Sequence, residues 1–171
     1  MTHHIVVINL DHDVGRMAHM HAQLESLGLQ YERFSALQGD RLPADLARYF
    51  PYGAPLSPGE IGCYASHLAI MQSIARGDMP SSALVLEDDV GLPADLVGTL
   101  GALVAALPSQ WDIVRLSYHT KSVSRPVAYI DKARMLVRYS RVPTTTGAYL
   151  ISASGARNFT QCDSLLIGHD C

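Results

Sequence analysis

Short apolar runs that end on polar residues, separated by stretches of helical spacing, constrain the fold of this chain more than any other feature. Residues 4–10 (HIVVINL) are rich in β-branched side chains on consecutive positions, and read as a strand covered on both faces. Over 11–27 the apolar residues Val14, Met17, Met20, Leu24 and Leu27 recur at helical intervals, and Gly28 is a natural C-terminal stop. Residues 30–36 read as a second strand. A proline- and glycine-rich connection follows, interrupted by a short helix over 44–49. Ser57, Pro58, Gly59 and Glu60 then form a helix start: Ser57 as N-cap, Pro58 at the first helical position, Glu60 closing a capping box. That helix should run to Ala75 or Arg76, with Ile61, Ala65, Leu68, Met71 and Ala75 toward the core, stopped by Gly77 and Pro80.

Residues 83–86 form an apolar strand running straight into Glu87, Asp88 and Asp89. A helix over 93–107 and a strand over 111–117 complete the regular alternation, with Trp111 in the core. Beyond them come extended stretches at 127–130, 135–142 and 148–152, and a terminal helix from Ala153. The expected class is α/β: a mostly parallel sheet flanked by helices, with extra strands in the C-terminal third. In such sheets ligands bind at the carboxyl ends of the strands, which would put Asn9, Glu87, Asp88, Asp89 and Ser117 on one rim.

At 171 residues the chain reads as one domain over 1–171. A hydrophobic fraction of 48% against 17% charged residues excludes a disordered chain. Thirteen basic and sixteen acidic residues leave a net charge of −3, so a basic nucleic-acid footprint is missing and no nucleic-acid partner is expected. The weakly polar run at 96–107 is shorter than the roughly 20 residues a membrane helix needs. No signal peptide is legible at the N-terminus, and Cys63, Cys162 and Cys171 are odd in number and widely spaced, as in a reduced compartment. A cytoplasmic protein is the expectation.

The acidic run carries the chemistry. Successive strand residues point to opposite faces, so Glu87 and Asp89 can share a side. Two carboxylates about 4 Å apart repel by roughly 4 kcal/mol at an effective dielectric near 20. Hard oxygen ligands of this kind suit Mg²⁺ or Mn²⁺ bridging to phosphates. A solvated turn, or a helix N-terminus that welcomes acids, would explain the same residues without a metal.

Several motifs in order resemble glycosyltransferase family 25. They are Val7-Ile8-Asn9-Leu10-Asp11 with Arg16, Ala36-Leu37-Gln38-Gly39, the run from Leu56 to Leu68 (LSPGEIGCYASHL), the run from Ala83 to Val90 (ALVLEDDV), and that from Thr145 to Ser152 (TTGAYLIS). The family includes lipopolysaccharide and lipooligosaccharide galactosyltransferases and relatives that glycosylate collagen. The resemblance implies a GT-A fold with a Rossmann-like nucleotide-binding sheet and a nucleotide-sugar donor, UDP-galactose or UDP-glucose. It implies a metal, Mn²⁺ or Mg²⁺, held by an Asp-x-Asp-type motif here written Glu87-Asp88-Asp89. Asp89 is the first choice of direct ligand, with Glu87 or Asp88 making a second contact through water or ribose. It further implies inverting transfer of a hexose, galactose by preference, to a saccharide hydroxyl of a glycolipid, by a protein visiting the inner face of the inner membrane. Residues 1–118 would hold the donor, and 119–171 would begin an incomplete acceptor side.

Under that resemblance Asn9, Arg16, Ser66, His67, Thr146 and Gly147 are donor-binding candidates, and His169 is a late metal ligand. Asp170 is the candidate general base, then Asp88 and Asp112. Plainer roles compete: a turn-capping Asn9, a surface Arg16, an ordinary strand turn at Thr146 and Gly147. His12, Gly15 and Gln38 depart from the family pattern. Cys63 and His67 stand four residues apart on one helix, a spacing also open to a nucleophilic pair. Two other functions compete. One is a catalytically inactive nucleotide-sugar-binding domain; the other is a haloacid-dehalogenase-type phosphatase with Asp11 as nucleophile, against which the order of its motifs tells.

Overall fold

The computed structural model describes residues 4–50, 53, 55–116, 123–141 and 145–161. In chain order the elements are β1 (His4–Asn9), α1 (Val14–Ser26), β2 (Glu32–Ser35), α2 (Ala44–Ala47), α3 (Pro58–Arg76) and β3 (Ser82–Glu87). Then follow α4 (Leu96–Ala106), β4 (Ile113–Arg115), β5 (Ser124–Tyr129), β6 (Met135–Tyr139), β7 (Ala148–Ser152) and α5 (Ala153–Thr160).

Five strands form one sheet in the order β2-β1-β3-β7-β4. β1 is parallel to both β2 and β3, whereas β7 runs antiparallel to β3 and β4. The expected mostly parallel sheet is therefore interrupted by one inner antiparallel strand, drawn from the C-terminal third. β5 and β6 pair as a separate hairpin, so the extra strands serve two different sheets.

Strand pleating splits the core into two layers. Ile5, Val7, Leu84 and Leu86 face α1 and α4, packing with Met20, Leu24, Leu96, Leu100 and Leu103. Val6, Ile8, Ala83 and Val85 face the other way, onto Ile70, Met71 and Ile74 of α3 and Ala156 of α5. These strands are thus apolar at consecutive positions because helices cover both faces.

The chain leaves β1 through α1 on one face to reach β2, then returns through α3 on the opposite face to reach β3. The connection reverses between β1 and β3, and a crevice opens there at their carboxyl ends.

α3 begins as its sequence requires. Ser57 accepts a bond from the Glu60 N–H while the Glu60 carboxylate accepts one from the Ser57 N–H, and Gly77 closes the helix at φ 85°. Its buried set is wider than one stripe: Ile70 and Ile74 face the sheet, and Leu68 packs with Leu46 and Tyr49 around α2. Ile61 and Ala75, expected in the core, are only half-buried. Val14 lies at 70% exposure, because α1 turns its first turn to solvent and buries Met20 and Leu24. Trp111 is partly buried against the first core layer.

Candidate functional site

The crevice between β1 and β3 is a cleft of about 440 Å³. One wall is the β1–α1 turn with Asn9, Asp13 and Arg16; the other is the loop at 36–40 laid against the start of α3. Two glycines allow that second contact. A Cβ on Gly39 would lie 2.1 Å from the Pro58 carbonyl oxygen, and one on Gly62 would lie 2.4 Å from that of Leu37. The Ser66 hydroxyl pins the same loop, accepting from the Leu37 N–H at 2.8 Å and donating to the Gly62 carbonyl at 2.7 Å. Ser66 is fully buried, so it shapes the wall from within.

β3 ends at Glu87, and the three acids part company there. Glu87 turns toward α3 and β7: its Oε1 accepts from Thr146 Oγ1 at 2.6 Å and lies 3.3 Å from His67 Nε2. The His67 and Thr146 bonds hold the Glu87 carboxyl below the usual range, against a burial that would raise it. The Glu87 N–H also donates to the Gly147 carbonyl at 2.8 Å, so the residues entering β7 brace this acid from two sides. His67 is itself buried, with Nδ1 2.9 Å from the Tyr149 hydroxyl. Burial pushes the Tyr149 hydroxyl far up, so it stays protonated. Glu87, a carboxylate, can only accept, so the His67 Nε2 that faces it carries a hydrogen.

Asp88 is buried on the opposite side. Asn9 Nδ2 donates to its Oδ2 at 2.6 Å, and Arg16 reaches its Oδ1 at 3.5 Å. Asn9 is a hub: its amide also donates to the Asp13 carbonyl at 3.0 Å and accepts from Arg33 Nε at 2.9 Å. Both amide hydrogens are thus already used within the protein. Arg33 continues to Asp11 at 2.6 Å, and with Ser35 it holds the Asp11 carboxyl below its ordinary value. Asp89, two residues beyond the end of β3, is exposed.

The sequence thus led to Asn9, Arg16, Ser66, His67, Glu87, Asp88, Asp89, Thr146 and Gly147, and these gather around one strand end. It did not lead to Arg33 or Tyr149, which act through Asn9 and His67; a polar aromatic inside the apolar run of β7 was the only signal for Tyr149. Ser117, His169, Asp170, Cys162 and Cys171 lie outside the described residues. Asp112 precedes β4, level with Ser82 and Ser152 at the opposite end of the sheet, and is not part of this rim.

The donor set has two characters. Glu87 and Asp89 offer the hard oxygens that fit Mg²⁺ or Mn²⁺. Cys63, His67 and Glu87 bring one donor atom each to within 4.8 Å of one another. Burial, then the Glu87 charge, raises the Cys63 thiol, opposed by a hydrogen bond with Thr146. A protonated thiol beside a carboxylate is not an activated nucleophile.

The fold and the site together define an α/β protein with a polar, carboxylate-tipped cleft at a topological switch point. The model of glycosyltransferase family 25 (LPS biosynthesis protein) matches residues 2–167, and the chain belongs to that family. Membership overturns the phosphatase alternative.

Procollagen galactosyltransferase 1-A of Xenopus laevis is 29% identical over 95% of this chain and 28% of its own length. Procollagen galactosyltransferase 1 of Danio rerio is 33% identical over 67% of this chain and 19% of its own. A Bos taurus family member whose name marks it as inactive is 28% identical over 63% of this chain and 18% of its own. The chain therefore spans under a third of the length of these curated relatives.

Proposed function

We propose that the cleft binds a nucleotide-diphosphate sugar, UDP-galactose or UDP-glucose, on a GT-A-like Rossmann-type sheet. In this reading the protein transfers the hexose, with inversion, to a saccharide hydroxyl of a lipopolysaccharide-type acceptor, from a place at or near the inner membrane face. The observation that carries it is the convergence of Arg16, Asn9, Glu87 and Asp88 on one cleft at the β1–β3 switch point. Family membership supports the transferase, and the names of the relatives support galactose as the sugar. The family description names lipopolysaccharide, the relatives procollagen; the saccharide acceptor of this reading follows the family description. Among the described residues no helix is long and apolar enough to cross a membrane.

The protein's own groups divide the work. The first turn of α1 opens into the cleft, and its N-cap, Asp13, makes no side-chain cap bond, which leaves backbone N–H groups for a phosphate. Arg16 adds a guanidinium on the same turn, its side chain 56% exposed and its terminal Nη1 3.5 Å from Asp88 Oδ1. Asp88 spends both oxygens on Asn9 and Arg16, so in this reading it positions the diphosphate-binding arginine. Glu87 and Asp89 would hold the divalent cation, Mn²⁺ or Mg²⁺; when bound, it neutralises charge that builds on the departing diphosphate. His67 and Thr146 fix the Glu87 carboxylate in one orientation before ligand arrives. Asp170 remains the base proposed for the acceptor hydroxyl, and His169 a late ligand.

Calorimetry with UDP-galactose, UDP-glucose and UDP, each with Mn²⁺ and with EDTA, tests this. Binding that strengthens with Mn²⁺ and loses that increment in Asp89→Asn is expected; affinity indifferent to both changes would overturn it. Tight metal-dependent binding without turnover would instead favour the inactive nucleotide-sugar-binding alternative, to which the name of the bovine relative lends support.

A further inference from the structure

The floor of the cleft carries a donor set that the hard-cation reading uses only at Glu87. Cys63 and His67 lie one helical turn apart on α3, and Glu87 meets them from the end of β3, with one donor atom from each inside a 4.8 Å span. We propose that Cys63, His67 and Glu87 form a zinc site, distinct in chemistry from the Mn²⁺ or Mg²⁺ position and overlapping it at Glu87.

Geometry supports this first. Bond lengths of about 2.0–2.3 Å in a tetrahedral site place neighbouring ligand atoms roughly 3.3–3.6 Å apart. His67 Nε2 and Glu87 Oε1 are already 3.3 Å apart, so only a small side-chain adjustment brings the sulfur into range. Both elements are fixed by the core, α3 through Ile70 and Ile74 and β3 through Val85, so the ligands come preorganised.

The surroundings support it second. Metal-bound imidazoles need a partner for the other ring nitrogen, and the buried Tyr149 hydroxyl stands 2.9 Å from His67 Nδ1. Thr146 donates to Glu87 Oε1 at 2.6 Å and so braces that ligand. All three ligands line the cleft, which leaves the remaining coordination position open to water or substrate.

Ligand softness decides the ion. A thiol and an imidazole suit zinc, whereas Mg²⁺ and Mn²⁺ favour carboxylate, carbonyl and water. On binding, the Cys63 S–H bond breaks, its proton leaves to solvent and a Zn–S bond forms. The imidazole proton moves from Nε2 to Nδ1, where the Tyr149 oxygen accepts it, and Nε2 takes the metal. No electron changes hands. Because Glu87 serves both cations, zinc should expel the donor-site metal; this last consequence rests on the reading given under Proposed function.

Titrating the full chain with Co²⁺ as a spectroscopic stand-in, then with Zn²⁺, both without nucleotide, tests the site. The expected result is a thiolate-to-cobalt charge-transfer band that Zn²⁺ displaces. Cys63→Ser should abolish the band and weaken Zn²⁺ at least tenfold. Tyr149→Phe should retain the band and weaken Zn²⁺ about tenfold, the size of a lost outer partner. Unchanged circular dichroism and melting temperature identify variants that still fold. A band that survives Cys63→Ser, or vanishes only when Cys162 or Cys171 is replaced, overturns the proposal, as does the absence of any band. Asp89→Asn separates the two readings: it should remove Mn²⁺-dependent nucleotide binding and leave the cobalt band intact.

Discussion

Glu87, Asp88 and Asp89 are chemically similar and adjacent, yet three environments give them three tasks. Glu87 is oriented by His67 and Thr146, Asp88 is buried against Asn9 and Arg16, and Asp89 is left in water. The acid run was legible in the sequence, and so was its position at a strand end. Its division was not, because the neutralising Arg16 lies far upstream and meets Asp88 only through the β1–α1 turn. Arg16→Ala should weaken UDP binding by about tenfold, the magnitude of one lost charge-assisted hydrogen bond, and lower the melting temperature because buried Asp88 loses its cation; calorimetry and a thermal melt check both halves. Glu87 adds a pH dependence. Its carboxyl sits below the ordinary 4.5 in the folded chain, so its stabilisation is present above that pH and is lost as pH falls through the folded value. In EDTA, Glu87→Gln should therefore cost about 1–2 kcal/mol at pH 7, with the gap to the parent chain shrinking below about pH 4.5; denaturant midpoints across pH test it.

α3 is the element that the sequence described best and the site uses most. Ser57 and Glu60 cap it, Gly62 admits the loop at 36–40, Ser66 pins that loop, and Cys63 and His67 face Glu87. The capping box and Gly77 made both ends readable without tertiary information. The buried face was less readable: a helix packed on the sheet and on α2 at once has no single apolar stripe, which is why Ile70 and Ile74 replace Ile61 and Ala75 in the core. Two substitutions separate helix formation from wall packing. Ser57→Ala should cost about 1 kcal/mol by loss of the cap, read as a lower melting temperature with nucleotide affinity nearly unchanged. Gly62→Ala should cost about 1–3 kcal/mol and also weaken nucleotide binding, because the new Cβ must push the Leu37 carbonyl and with it the cleft wall.

Across the molecule, the pairing of distant segments was the part the sequence withheld. β1 and β3 announce themselves as buried strands, but β7 reads only as an extended stretch, and nothing in it specifies an antiparallel place between β3 and β4. That place matters for function, since it brings Thr146, Gly147 and Tyr149 to Glu87 and His67. The separate β5–β6 hairpin and α4 border a second, larger cleft of about 1150 Å³, lined mainly by apolar residues such as Leu100, Leu103, Val127 and Leu136. The two clefts give a direct way to test where the donor sits. Crystals soaked with Mn²⁺ and UDP should show one manganese anomalous peak within coordination distance of Glu87 and Asp89, with the diphosphate reaching toward Arg16. Manganese and diphosphate found together in the cleft beside the hairpin, with no peak at the end of β3, would contradict that assignment.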